Sequence, residues 1–239
     1  MSASLKQAVF LVGGMGTRLG DLTKTVPKPL LPVAGRPFLD YLIDNAVRQG
    51  FNDIILLCGY LSGNMADHYL KMNYPDRSVR LVVEPAPAGT AGALRYAEHL
   101  LDEAFILANG DSFFALEWSE LIDFALGRDA PATLALRDVA PGGRYGTVSL
   151  TGNRIEQFHN PADKVAGPMN AGIYVARKTI LREIDGLPCS IEQQLFPALA
   201  ASGRLVGKVS SGYFIDIGIP EDFARAQFEI PNIIGQNRS

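Results

Sequence analysis

A continuous apolar run, Ala8 to Val12, ends abruptly in Gly13-Gly14-Met15-Gly16-Thr17-Arg18-Leu19. Apolar residues without alternation suit a strand covered on both faces, which sets it inside a helix-flanked sheet. The glycines that follow let the backbone approach a ligand closely, so that amide N–H groups can point at phosphate oxygens. Downstream, Pro27-Lys28-Pro29-Leu30-Leu31-Pro32-Val33 forms a stiff, extended segment that carries a cation. Arg18 and Lys28 together supply the positive charge that a polyphosphate needs. The two segments imply a nucleoside triphosphate site of an uncommon kind, with Leu11, Gly13, Gly14, Gly16, Thr17 and Arg18 as candidate contacts.

Spacing excludes two better-known glycine motifs. A dinucleotide fold wants G-x-G-x-x-G running into a helix, whereas Gly14, Gly16 and Gly20 give G-x-G-x-x-x-G. No helix begins cleanly through Pro27, Pro29 and Pro32, which lack donors and restrict the residue before them. A Walker A loop needs G-x-x-x-x-G-K followed by Ser or Thr, and none occurs.

A chain of 239 residues with 47% apolar and 20% charged residues has the balance of a globular protein with a sizeable core. Its net charge of -3 provides no basic field for nucleic acid and no polybasic segment for a membrane surface. The apolar runs are strand-sized, and the N-terminus lacks a secretory apolar region, so a cytoplasmic protein is expected. Cys58 and Cys189 lie far apart, and His68, His99 and His159 show no paired spacing, which argues against a zinc site. Cys58 ends an apolar run and reads as a buried, inert thiol.

The first half alternates strand and helix. Strands are expected at Ala8–Val12, Ile54–Cys58, Arg80–Val83 and Phe105–Ala108. The first helix is punctuated by Pro37 and Gly50, with Phe38, Leu39, Leu42, Ile43, Ala46 and Val47 as its apolar stripe. Further helices are expected at Met65–Met72, Thr90–Leu101 and Trp118–Leu126. This alternation implies right-handed crossovers and a mostly parallel sheet. Periodicity then changes. Thr133–Arg137, Thr147–Leu150, Arg154–Phe158 and Ala171–Ala176 read as short strands between Pro, Gly and Asn clusters, which favours antiparallel pairing. Helices return at Lys178–Ile184 and Ile191–Ala201. Strands at Leu205–Val209 and Phe214–Ile217 then precede a helix starting at Pro220. The expectation is a single α/β domain over 1–239, its nucleotide-binding part at about 1–130 and an inserted antiparallel lobe in about 131–239.

Ligands of open α/β sheets bind beyond the carboxyl ends of the strands. Gly13–Arg18, Glu84 and Asn109-Gly110-Asp111 fall there. Asp111 follows a buried strand through one glycine, and Asp216 sits in the apolar Phe214-Ile215-Asp216-Ile217-Gly218. A carboxylate among apolar neighbours is costly unless it is paired, hydrogen-bonded or bound to a cation. Asp111 and Asp216 are therefore the expected ligands of Mg²⁺, which takes one or two carboxylates plus phosphate oxygens and waters. Arg18 and Lys28 would neutralise charge building on a leaving pyrophosphate. Glu84-Pro85-Ala86-Pro87-Ala88-Gly89-Thr90 suits a base-binding loop, with Glu84, Gly89 and Thr90 as contacts. The Glu84 carboxylate either accepts from the N1–H and amine of guanine or caps the helix that begins at Thr90.

These segments, with Gly89-Thr90-Ala91-Gly92, Asn170-Ala171-Gly172-Ile173-Tyr174 and Ile217-Gly218-Ile219-Pro220-Glu221-Asp222, resemble in order the sugar-1-phosphate nucleotidylyltransferases. The resemblance runs from Ala8 to about Phe223. It implies a GT-A, Rossmann-like three-layer α/β sandwich with a mostly parallel central sheet and an antiparallel sugar-binding lobe. It also implies a nucleoside triphosphate and a sugar 1-phosphate as substrates, a divalent metal, Arg18, Lys28 and Asp111 as catalytic residues, and Gly146, Asn170 and Glu192 lining the sugar pocket. Within the family the chain is similar to short guanylyltransferases acting on heptose or mannose 1-phosphate, whose nucleotide sugars feed bacterial capsule and lipopolysaccharide. One departure stands out. Where the family has Phe-x-Glu-Lys-Pro, with the Lys touching the sugar phosphate, this chain has Phe158-His159-Asn160-Pro161. Either Lys164 reaches in from the loop beyond Asn160, or Lys28, metal and backbone hold that phosphate alone.

Two other readings are separable. A non-catalytic sugar-nucleotide-binding subunit would account for Asn160-Pro161, and the retained Arg18, Lys28, Asp111 and Asp216 oppose it. A dehydrogenase fails on glycine spacing. Neither a nucleic acid nor a membrane is an expected partner, and a homodimer stays open because α/β enzymes of this size often pair.

Overall fold

The computed structural model describes residues 5–72, 74–140 and 143–236. The continuous apolar runs become the middle of one sheet, as their lack of alternation requires. In chain order the strands are β1 Gln7–Leu11, β2 Pro32–Val33, β3 Arg36–Pro37, β4 Asp53–Cys58, β5 Ser78–Val83, β6 Ala104–Asn109 and β7 Ser112–Phe114. They continue with β8 Ala132–Asp138, β9 Thr147–Thr151, β10 Arg154–His159, β11 Pro168–Arg177, β12 Leu205–Val209 and β13 Phe214–Asp216. The α-helices are α1 Phe38–Arg48, α2 Ser62–Tyr69, α3 Gly89–Tyr96, α4 Trp118–Leu126, α5 Phe196–Ala201 and α6 Pro220–Gln236.

Nine strands form the main sheet in the order β5-β4-β1-β6-β11-β8-β12-β10-β9. The first four run parallel, joined by helical crossovers. Side chains alternate between two cores. Phe10, Ile54 and Leu56 pack under α1, α2, α4 and α6, while Val9, Ile55, Leu57 and Leu107 pack under α3 and α5. Helices on both faces make three layers. No helix of the described residues is long and apolar enough to cross a membrane. Cys58 is buried, and burial pushes its thiol up to about 12.

The sheet is more mixed than the sequence suggests. β11 lies antiparallel to both β6 and β8, and β12 returns parallel to β8. The antiparallel strands expected as an inserted lobe therefore extend the same sheet. The physical reason is β11, ten residues long, which pairs with the parallel half along one edge and with the later strands along the other. A shift in its register between Asn170 and Tyr174, beside Gly172 at φ +74°, bends it to serve both.

Several helix bounds also differ. The helix expected at Met65–Met72 is displaced to Ser62–Tyr69, because Met65 and Tyr69 are the residues that turn inward while Met72 is exposed. The segment Thr90–Leu101 divides into α3 and a 3-10 turn at Glu98–Leu100, and Lys178–Glu183 is 3-10 rather than α. Ile191–Ala201 divides into a π turn, Ile191–Leu195, and α5. Pro197 has no N–H to give, and the Leu195 N–H reaches back five residues to the Ser190 carbonyl at 3.0 Å.

One small ribbon positions the chemistry. β7 and β13 pair antiparallel with Asp216 opposite Ser112, and the Ile217 N–H donates to the Asp111 carbonyl at 3.0 Å. Two acids more than a hundred positions apart thereby reach the same corner of the sheet.

Candidate active site

A cleft of about 460 Å³ opens at the carboxyl ends of β1, β4 and β6, within the size range of small-molecule sites. Leu11, Gly13, Gly14, Gly16, Thr17 and Arg18 line one wall, and Glu84, Gly89, Thr90 and Glu192 line another. Lys28 and Asp111 close its end. Gly13 is needed for close approach, since a Cβ there would lie 3.0 Å from the Gly59 nitrogen. Gly16 adopts φ +65°, a conformation that favours glycine. Beyond it the chain forms 3-10 turns over Thr17–Thr23 and not an α-helix. The Thr23 hydroxyl donates to the Gly16 carbonyl at 3.1 Å and ties the loop to the turn that follows it.

Lys28 sits in a 3-10 turn stiffened by Pro27 and Pro29. Its side chain is only 8% exposed, and its Nζ lies 2.6 Å from Asp111 Oδ2 and 3.8 Å from Asp216 Oδ1. The lysine expected to face phosphate thus also bridges the two acids. Burial raises the Asp111 carboxyl, but the Lys28 ammonium, the Ser112 hydroxyl and Arg18 outweigh it and hold the group below the usual carboxylate range. Asp216 goes the other way. Burial and the Asp111 charge push it up, only partly offset by Lys28, the Gly218 N–H and Arg144. Two acids held together with one disfavouring the charge of the other form a site that added positive charge relieves. No group of three or more His, Cys, Asp or Glu ligands occurs among the described residues. The two carboxylates that meet at Lys28 are a donor set that fits a hard cation only where phosphate oxygens and water complete its shell.

Gly218 was part of a family-like motif but carried no site role from sequence, yet it lies at the centre of this cluster. A Cβ there would come 2.6 Å from Asp216 Oδ1, 3.0 Å from Lys28 Nζ and 3.2 Å from Arg18 Nη2. Any larger residue displaces charged groups.

The second wall is braced by two loops. Glu84 Oε2 accepts from the Ala88 N–H at 3.1 Å, and Gly59 leaves room for the other carboxylate oxygen. Glu84 therefore faces the cleft and closes the turn before α3 at once. Gly89, at φ +77°, would carry a Cβ only 2.3 Å from the Cys189 carbonyl oxygen. Its lack of a side chain is used by the neighbouring backbone as well as by the cleft. The Thr90 hydroxyl accepts from the Ile191 N–H at 2.8 Å and lies 3.2 Å from Glu192 Oε2. Burial raises the Glu192 carboxyl above the usual range.

The remaining residues expected around a sugar lie outside the cleft lining. Asn160 is exposed and starts a 3-10 turn, its N–H donating to the Asp163 carboxylate at 2.8 Å. Lys164 ends that turn in the left-handed region at φ 52°, exposed. Gly146 permits contact with β10, since its Cβ would lie 2.5 Å from the His159 carbonyl oxygen. Asn170 spans the β11 irregularity, accepting from the Gly172 N–H at 2.9 Å and lying 3.0 Å from the Tyr174 hydroxyl.

This arrangement of glycine loop, paired cations and paired acids above a parallel sheet suits the handling of a polyphosphate. Residues 7–232 match the nucleotidyl transferase family, and the chain belongs to that family. Among its relatives, the D-glycero-α-D-manno-heptose 1-phosphate guanylyltransferase of Aneurinibacillus thermoaerophilus is 33% identical over 231 residues, covering 95% of this chain and all of the relative. The mannose-1-phosphate guanyltransferase of Aspergillus oryzae is 34% identical over 227 residues, 91% of this chain but 62% of that protein. The crystal structure of HddC from Yersinia pseudotuberculosis complexed with GMP-PN superposes with a TM-score of 0.83 at 30% identity, covering 93% of this chain and 98% of that one.

Proposed function

We propose that this protein is a sugar-1-phosphate guanylyltransferase that joins GTP to a heptose 1-phosphate, giving a GDP-sugar and pyrophosphate. The single observation that carries the reading is the junction of Lys28, Asp111 and Asp216 at the end of the glycine-walled cleft. Heptose is put ahead of mannose because the heptose enzyme is matched over 95% of this chain, against 91% for the mannose enzyme. The Glu84 carboxylate in the second wall supports guanine, whose N1–H and amine require an acceptor.

The reaction is in-line attack by a sugar-phosphate oxygen on the α-phosphorus. A phosphate monoester has its second pKa near about 6, so the nucleophile arrives charged and needs no strong base. What remains is positioning and stabilisation of the leaving pyrophosphate. The glycine loop amides and Arg18 hold the triphosphate, and Lys28 meets the charge that develops at its inner end. Mg²⁺ held by Asp111 and Asp216 would add Lewis-acid polarisation of a phosphoryl oxygen. We place the enzyme in the cytoplasm, making a nucleotide sugar for surface polysaccharide.

The test pairs four nucleoside triphosphates with heptose, mannose and glucose 1-phosphates and reads pyrophosphate. GTP with the heptose substrate should give the highest rate. Absence of pyrophosphate from every pair overturns the proposal.

A further inference from the structure

The loop between β8 and β9 brings a third cation to the acid cluster. Arg144 Nη2 lies 2.5 Å from Asp222 Oδ2, 3.7 Å from Asp216 Oδ2 and 3.3 Å from the Asp216 carbonyl oxygen. It also contacts the Tyr145 hydroxyl. Asp216 is therefore flanked by two cations, Lys28 at Oδ1 and Arg144 at Oδ2. Lys28 belongs to the triphosphate cleft; Arg144 stands on the other side of the carboxylate.

We infer that Arg144 receives the phosphate of the second substrate. The inference rests on the two-substrate reaction proposed above and names the cation for its sugar-phosphate side. In-line displacement brings the nucleophile in opposite the leaving group. Arg18 and Lys28 occupy the leaving side, so a dianion arriving from the other side needs its own positive charge.

Three observations separate this role from a structural ion pair. Both acids that Arg144 touches have other partners: Asp222 binds Arg225 Nη1 at 2.7 Å, and Asp216 accepts from the Gly218 N–H and lies near Lys28. Among the described residues all of the polar contacts of its guanidinium fall on Nη2, while Nη1 is buried and has no hydrogen-bond partner there. An unpaired guanidinium nitrogen is costly, and a planar fork suits two phosphate oxygens. Tyr145 and Gly146, which follow Arg144, are also seated between the strands that matter. The Tyr145 ring packs edge-on against Phe214 of β13 with centroids 5.8 Å apart. On its other side Gly146 abuts the His159 carbonyl at the end of β10. Asn160 and Lys164, by contrast, are exposed and engaged in or ending a local turn.

The experiment measures steady-state kinetics and sugar 1-phosphate binding for wild type, Arg144→Ala, Arg144→Lys and Asp222→Asn. Arg144→Ala should raise the sugar 1-phosphate KM about tenfold or more, the scale of one charge-assisted hydrogen bond, with the GTP KM changed less than about twofold. Arg144→Lys should restore part of the loss, and Asp222→Asn, which removes the partner but keeps the cation, should change the sugar 1-phosphate KM far less than Arg144→Ala. An unchanged sugar 1-phosphate KM in Arg144→Ala with active wild type overturns the inference and leaves the proposed function standing. Equal rises in both KM values, or an Asp222→Asn defect as large as that of Arg144→Ala, assign Arg144 a structural role and also overturn it. A wild type that neither binds nor turns over any sugar 1-phosphate overturns both.

Discussion

Replacing Asp216 by Asn should make the metal-free protein more stable while removing turnover. The carboxyl is 14% exposed, and burial and Asp111 push it above its ordinary value. A group raised in this way favours folding below its unfolded pKa, and that contribution is lost as pH rises through the folded value. Asn keeps the acceptor for the Gly218 N–H and never ionises. Its advantage should therefore be absent in acid and emerge as pH rises through the carboxyl range, reaching on the order of 1 kcal/mol. In a domain of this size that is about 2–4 °C in Tm. Turnover should fall by about 100-fold or more, since a bound metal supplies several kcal/mol of transition-state stabilisation. The assay is a Tm series against pH in chelator, repeated with Mg²⁺, beside pyrophosphate release. Mg²⁺ should raise the wild-type Tm by mass action and leave the Asn variant unmoved. An Asn variant less stable than wild type at neutral pH without metal, or one with near-normal turnover, would rule out Asp216 as a strained metal ligand.

Gly218→Ala places a methyl among Asp216, Lys28 and Arg18, so kcat/KM should drop about 100-fold, the worth of one misplaced preorganised donor, with far-UV circular dichroism unchanged. Lys28→Met leaves Asp111 and Asp216 without their shared cation; stability should fall by about 3 kcal/mol in urea titration and recover partly with Mg²⁺. Glu84→Gln can still accept from the Ala88 N–H, so stability should hold while preference for GTP over ATP weakens. Unchanged discrimination would remove the base-recognition role.

The glycine loop and the lysine were legible because their chemistry is local: a strand, three glycines and two cations lie within about twenty positions. Asp111 was legible from its place after β6, and Asp216 as a charge in an apolar segment. Their meeting was not, since it depends on the register of β7 against β13. Gly218 stood in a recognisable motif without a role of its own, and Arg144 left no local signal. One is a glycine among twenty-four, the other a cation whose acidic partners lie more than seventy positions away. The same limit hid the continuous sheet. Turn spacing marks β9 and β10 as antiparallel, but only the long-range pairing of β11 with both β6 and β8 makes them part of one sheet.

Attack by an oxygen of the sugar phosphate on the α-phosphorus of a triphosphate held in this cleft can be followed atom by atom. Heptose 1-phosphate labelled with oxygen-18 in its non-bridging phosphate oxygens would be incubated with GTP, Mg²⁺ and the protein, and the products analysed by phosphorus NMR. Label is expected throughout the sugar-derived phosphate of the product, including the bridge to the nucleotide phosphorus, with unlabelled pyrophosphate. Label in pyrophosphate, or GTP cleaved with no labelled bridge, would contradict it.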